Sequence, residues 1–249
     1  MNRIKKIDLV KILFRTFYIQ GSWNFERMMG LGLCFCLIPV ARRLCRTKEE
    51  TIAFLNRHLD FFNAQPYMAS FALGAIAKLE EQAILQQWDT SQINLFKERI
   101  CGPLGALGDA LFWRFLKPLT ATIGVILCIL FGWTGIIYFF IIYNVPHLYI
   151  RIIGIYAGYK KGFDIIRNLS IRGTQKYFKI FDAILNCAIG IIAVVINCYI
   201  SNEGHGFRSL LVFLIITLIS IVLTIRKKLS IEMIIVIVLS ISITLGLMI

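Results

Sequence analysis

LTATIGVILCILFGWTGIIYFFIIY, residues 119–143, decides the class of this fold. It carries no Asp, Glu, Lys or Arg. At about 1.5 Å per residue, a helix of this length crosses the ~30 Å hydrocarbon core of a bilayer. The next stretch, NVPHLYIRIIGIYAGY (144–159), is aromatic and glycine-rich and contains Pro146 and Arg151. It reads as a broken or re-entrant return through the membrane, since irregular backbone is tolerated there only against protein or a wet cavity. Three further apolar runs follow, at 180–200, 207–225 and 229–249, each near the ~20 residues a span needs.

Working outward, the composition agrees. Hydrophobic residues make up 58% of the chain, charged residues 16%, and the mean hydropathy is +0.74. Soluble domains carry about 25% charge. The reading is an all-α integral membrane protein, divided near residue 118. An N-terminal region, 1–118, holds amphipathic helices and short re-entrant hairpins. A region of transmembrane helices, 119–249, follows.

The net charge of +13 could suggest nucleic acid, but no basic groove with interleaved exposed aromatics is apparent. Flanking cations that face the cytoplasmic leaflet account for it better. Lys160, Lys161, Arg167, Arg172, Lys176 and Lys179 place 160–179 in the cytoplasm, and Arg226–Lys228 form a second cytoplasmic turn. Arg114 and Lys117 put the start of 119–143 inside as well, whereas 201–206 holds Glu203 without Lys or Arg and lies outside. The N-terminus is then cytoplasmic and the C-terminus outside. Seven scattered cysteines without a Cys-x-x-Cys pair argue against a disulfide scaffold or a zinc site.

The N-terminal region is different in kind. Ile4, Ile7, Val10, Phe14 and Phe17 recur at steps of three and four, with Lys5, Lys6, Asp8, Lys11 and Arg15 on other faces. That is a basic amphipathic helix suited to a membrane surface, and Lys11 and Arg15 interrupt any signal-peptide core. Thr47 followed by Glu50 is a capping box that starts a charged helix. The apolar pieces Met28–Ala41, Pro66–Ala77 and 102–113 are too short to span, so they read as hairpins that enter without crossing.

Three clusters could carry chemistry. In GSWNFERM (21–28), Trp23, Glu26 and Arg27 would share a helix face, and Trp23, Asn24 and Glu26 offer the flat plate and paired acceptors that sugar hydroxyls need. The bland alternative is an interfacial anchor with a structural Glu–Arg pair. In FFNAQPYMASFALGAIAKLEEQ (61–82), Asn63 and Gln65 precede Pro66, which can open a helix, and Glu80 and Glu81 close it. That carboxylate pair either binds a polyol or takes up a proton, or is a solvated helix end. In GPLGALGDALFWRFLKP (102–118), glycines at three-residue steps suit close helix packing. Asp109, an acid among apolar residues with Trp113 one turn on, is a functional residue by default. His58, His147 and His205 are dispersed, which leaves a triad or metal cluster without support. A stand-alone membrane enzyme would need convergent nucleophile, base or metal ligands, and none is found.

Taken in order, SWNFERM, FFNAQPY…LGAIAKLEEQ, GPLGALGDALFWRFLKP and YNVPHLYIRIIGIYAGYKKGFDII resemble the IID membrane subunit of the mannose–fructose–sorbose class of bacterial sugar phosphotransferase systems. The similarity covers nearly the whole chain. It implies a multi-pass protein of the bacterial cytoplasmic membrane that pairs with a IIC subunit in a hetero-oligomer and forms a sugar path. Phosphate would come from cytoplasmic IIA and IIB proteins, which carry the phosphohistidines. The chain itself would be a transport subunit without cofactor or metal. From the chemistry of the three clusters, Trp23, Asn24, Glu26, Asn63, Glu80 and Asp109 are the expected sugar-binding residues. The competing expectation is a membrane scaffold or docking subunit in which they merely pack.

Overall fold

The computed structural model describes residues 3–87, 89–168 and the single positions 180, 184 and 190. The chain divides into two compact units, Met1–Ala188 and Ile189–Ile249, and the description below is of the first. The expected spans at 207–225 and 229–249, the loop at 201–206, the turn at 226–228 and all of 169–179 lie outside the described residues, as does the expected span at 180–200 apart from positions 180, 184 and 190.

The described chain is helical. Helix α1 (Lys6–Arg15) runs into a short 3-10 turn, Thr16–Tyr18. It buries Asp8, Leu9 and Ile12 and leaves Ile7 and Phe14 exposed. After a loop, α2 spans Gly30–Leu44, about 22 Å long. Its apolar face is buried against α1, α3 (Lys48–His58) and α4 (Ala69–Gln86). Helix α3 starts as its sequence dictates: Thr47 accepts from the Glu50 amide at 3.2 Å, and the Glu50 carboxylate reaches back to the Thr47 amide at 3.4 Å.

Helix α4 is the centre of the unit, buried along most of its length from Ala69 to Ala83. Its main partner is α7 (Thr134–Lys161). Glycines let the two backbones touch. A Cβ at Gly74 would lie 2.9 Å from the Tyr159 amide, and one at Gly158 would lie 2.8 Å from the Ala75 amide. Gly154 seats Ser70 in the same seam. Close approach through small residues is how helices associate where apolar burial gives no advantage over lipid.

Two of the apolar stretches fold differently from their sequence reading. The run 119–143 is not one span followed by a re-entrant return. Helix α6 (Lys117–Phe131) ends at Gly132, whose φ of +62° suits glycine, and α7 then runs unbroken from Thr134 to Lys161. The turn is closed by the Gly132 amide donating to Cys128 O at 2.9 Å. Pro146 lies inside α7 without breaking it, and Asn144 Nδ2 donates to Phe140 O at 2.7 Å in the turn before it. Helices α6 and α7 form an antiparallel pair, and because α7 is nearly twice as long it runs on past Lys117 alongside the preceding part of the chain.

Likewise 102–113 is not a separate hairpin. It is the middle of a continuous helical stretch made of α5 (Ser91–Gly108), a π-helical segment (Asp109–Leu116) and α6. Among the described residues, Ser91–Phe131 and Thr134–Arg167 are the two helical runs long and apolar enough to cross a membrane. Leu130, Phe131, Trp133, Ile136, Phe140 and Ile141 are exposed on this pair, as lipid-facing residues should be.

Candidate functional site

A cleft of about 440 Å³ opens where the segment before α4 meets the α5–π junction. Asn63, Gln65, Asp109, Trp113 and Gln20 supply its polar and aromatic lining, with Phe61 at one wall. Gly102 and Gly105 form its floor: a Cβ at either would meet nothing within 4 Å. These two glycines therefore leave space instead of packing helices, while the third of the series, Gly108, does pack, against the Gln65 side chain.

Gln65 is the best-defined group in the cleft. Its Oε1 accepts from the Tyr67 and Met68 amides at 2.8 and 3.0 Å, capping the turn that leads into α4. That bonding fixes which end of the carboxamide is oxygen. The Nε2 group, on a residue 1% exposed, then has no hydrogen-bond partner among the described residues. A buried amide donor left unmade costs about 1–3 kcal/mol. Asn63 and Asp109 are exposed beside it. Together the lining offers acceptors, donors and an indole plate, the equipment for a neutral polyhydroxylated ligand.

The SWNFERM stretch is a loop, so the shared helix face expected for Trp23, Glu26 and Arg27 does not exist. Asn24 Oδ1 accepts from the Arg27 amide at 2.8 Å, and Asn24 pairs with Met28 through backbone bonds. Met28 then takes a left-handed φ of +51°. The loop is zipped to the cleft segment: the Met29 amide donates to Phe62 O at 2.9 Å and the Phe62 amide to Arg27 O at 3.3 Å. Trp23, Asn24, Glu26 and Arg27 are all exposed, and Trp23 packs edge-on with Phe25, itself 86% exposed.

Glu80 and Glu81 lie elsewhere, and neither is a solvated helix end. Glu80 is 1% exposed and accepts from Arg57 Nε and Nη2 at 2.9 and 3.0 Å. His58 Nε2, on a fully buried ring, is 2.8 Å from the same carboxylate. Burial by itself would raise the Glu80 carboxyl, but the His58 and Arg57 hydrogen bonds outweigh it and hold the group below the usual carboxylate range. Burial pushes His58 below its ordinary value. The consistent state is a neutral His58 donating from Nε2 to an ionised Glu80. Glu81 joins three elements by accepting from the Ile4 amide at 2.8 Å, Tyr159 Oη at 2.8 Å and Lys78 Nζ at 3.1 Å.

Of the six residues expected to bind sugar, the fold thus brings Asn63 and Asp109 into one cleft. It places Trp23, Asn24 and Glu26 on an exposed loop tied to that cleft, and sets Glu80 in a buried ion-pair network. Gln65 and Trp113 join the cleft, as does Gln20, for which the sequence gives no signal. The signal for Gln65 is its position before Pro66, where a side-chain acceptor caps the coming turn.

These features are those of a helical protein with two runs long and apolar enough to cross a membrane and a polar cleft on the first of them, among the described residues. The chain belongs to the PTS system mannose/fructose/sorbose family IID component family, which it matches over residues 3–249. IID components are membrane components of the transport system and not its phosphoryl-transfer enzymes. The chain is 38% identical over 176 residues to the PTS system mannose-specific EIID component of Escherichia coli (strain K12), covering 70% of this chain and 62% of that one. It is 35% identical over 175 residues to the sorbose-specific EIID component of Lacticaseibacillus casei, at 70% and 62% coverage. The matched region thus spans less than two thirds of the length of these relatives. Its fold is similar to a chain in the cryoEM structure of the mannose transporter ManYZ in complex with microcin E492, with a TM-score of 0.62, 29% identity, and coverage of 98% of this chain and 97% of that one.

Proposed function

We propose that this chain pairs with a IIC membrane subunit to bind and translocate a hexose or amino sugar, which a cognate IIA/IIB pair phosphorylates during uptake. The observation that carries the reading is the cleft lined by Asn63, Gln65, Asp109 and Trp113, with the Gln65 amide donor buried and without a partner among the described residues. Sugar hydroxyls would exchange hydrogen bonds with these groups while the indole covers an apolar ring face. Trp23, Asn24 and Glu26 complete the path from the exposed loop, or seat the IIC subunit beside it. Positive charge sets the orientation: the N-terminus and 160–179 face the cytoplasm, and the C-terminus lies outside.

A docking subunit without sugar contact is the second reading. The exposed loop with Trp23 and Phe25 favours it, because such an aromatic surface suits a protein partner. The test is sugar uptake and direct sugar binding by the chain assembled with its IIC partner. Asp109→Asn and Gln65→Ala should each weaken sugar binding about tenfold or more, with assembly intact, each removing about 1.5 kcal/mol or more of polar contact. Unchanged binding in both variants would sink the sugar-site reading, and loss of assembly in Glu26→Gln would assign the loop to docking.

A further inference from the structure

The crevice between α1 and α2 has no role in the reading above. It encloses about 530 Å³ and is lined by Asp8, Lys11, Phe14, Arg15, Pro39, Arg42 and Arg43. We infer that it is a binding site for the phosphate headgroup of an anionic phospholipid. The inference rests on the membrane placement of the chain and not on sugar binding.

The charge arithmetic inside the crevice points to an anion. Asp8 is already engaged: its oxygens accept from Arg43 Nε at 2.8 Å, from Arg43 Nη2 at 3.2 Å and from the Lys5 amide at 3.0 Å. Arg15 is engaged too, donating to Phe35 O at 2.9 Å with its guanidinium 4.3 Å from the Phe35 ring centre. Lys11 and Arg42 remain, both exposed and neither in a hydrogen bond or ion pair among the described residues. Lys11 feels Asp8 only at longer range. The crevice thus offers two cations without a hydrogen bond or ion pair among the described residues, beside a paired Asp8–Arg43, with no free carboxylate in its lining to repel an incoming phosphate.

The surroundings select a lipid over a soluble phosphate. Contrary to the sequence expectation of separate faces, Lys11 lies between Ile7 and Phe14 on one side of α1, and these two apolar side chains are 51% and 65% exposed. A further exposed aromatic, Phe17, follows them. A free phosphate gains nothing from apolar rings at the rim. A phospholipid does, because its glycerol and upper acyl segments lie against them while the phosphate meets the cations. An interfacial helix with its apolar side in the acyl boundary and its cations at headgroup depth has this layout. The basic end of α2 (Arg42, Arg43) would then lie at the anionic cytoplasmic leaflet, in keeping with the orientation set by positive charge.

Native mass spectrometry of the full chain, assembled with its IIC partner in mild detergent, tests this with added phosphatidylglycerol or phosphatidylcholine. The wild type should retain phosphatidylglycerol at least tenfold better than phosphatidylcholine. Lys11→Gln with Arg42→Gln should weaken phosphatidylglycerol about 30-fold, at about one kcal/mol per cation. Phe14→Ser should weaken phosphatidylglycerol but leave glycerol phosphate unaffected. Equal retention by wild type and the double variant, or no preference over phosphatidylcholine, overturns the inference. Glycerol phosphate bound as tightly as phosphatidylglycerol overturns it in favour of a soluble phosphate. Far-ultraviolet circular dichroism checks the fold, and should the double variant fail to fold, the single variants carry the comparison. Sugar binding measured on the same samples should be unchanged, which separates this result from any failure of the sugar-site reading.

Discussion

Glu80→Gln separates a ligand role from a structural one at a position where sequence reasoning expects a sugar contact. The Glu80 carboxylate accepts two bonds from Arg57 and faces His58, with its side chain 1% exposed and that of Arg57 17% exposed. The glutamine keeps the shape but removes the charge and turns an NH₂ group toward one of these donors. Breaking a buried ion pair from one side costs about 3–5 kcal/mol. Partial exposure of Arg57 argues for the low end, about 3 kcal/mol, which for a chain of this size lowers the unfolding midpoint by about 6–12 °C. The assay is thermal unfolding of the detergent-purified protein followed by tryptophan fluorescence, with sugar binding measured well below the midpoint. An unchanged midpoint with sugar binding lost would refute the reasoning and make Glu80 a ligand group. The same network fixes a pH dependence. Both folded values lie below the ordinary ones, so the stabilisation is fully present at neutral pH and above. It declines as pH falls below about 6.5, where an unfolded histidine takes up a proton that buried His58 resists. It declines further below about 4.5 as the carboxylate protonates, and that lower step should be smaller in Glu80→Gln, the remainder coming from Asp8 and Glu81, whose partners also hold them below the usual carboxylate range.

Glycines of one kind by sequence should respond in opposite ways. Gly158→Ala pushes a methyl group into the α4 backbone and should cost about 1–3 kcal/mol or more of stability, read as a lower unfolding midpoint. Gly102→Ala meets open space inside α5 and should leave the midpoint unchanged or raised by up to about 1 kcal/mol of helix propensity, while narrowing the cleft and weakening sugar binding. Thr47→Ala removes the side-chain cap of α3 and should cost about 1 kcal/mol in the same unfolding measurement, with sugar binding intact.

Local signals in this chain were readable because they act over a few residues. The Thr47–Glu50 capping box needs only four positions. The helix of α1 was readable but its faces were not: the fold buries Asp8, Leu9 and Ile12 and leaves Lys11 exposed on the same side as Ile7 and Phe14. The turn at Gly132 escaped because its neighbours Phe131 and Trp133 are as apolar as the helices they join. A hairpin tip made of Phe131, Gly132 and Trp133 has no polar side chain except the indole N–H to mark it. The helix expected for SWNFERM failed for another reason: backbone bonds from Phe62 to Arg27 and Met29, far along the chain, hold those residues in a loop.

By itself the sequence determined the solvent this protein lives in, its helical class and its family, because apolar run length, flanking charge and motif order are properties of the chain alone. Tertiary structure alone decided which polar residues share a site. Asn63 and Asp109 line one cleft because the segment before α4 packs on α5, with Gly108 against Gln65. Glu80 leaves the set because α3 delivers Arg57 and His58 to it. A carboxylate in sequence is only a charge; whether it meets solvent, a ligand or a guanidinium is fixed by which helix packs over it.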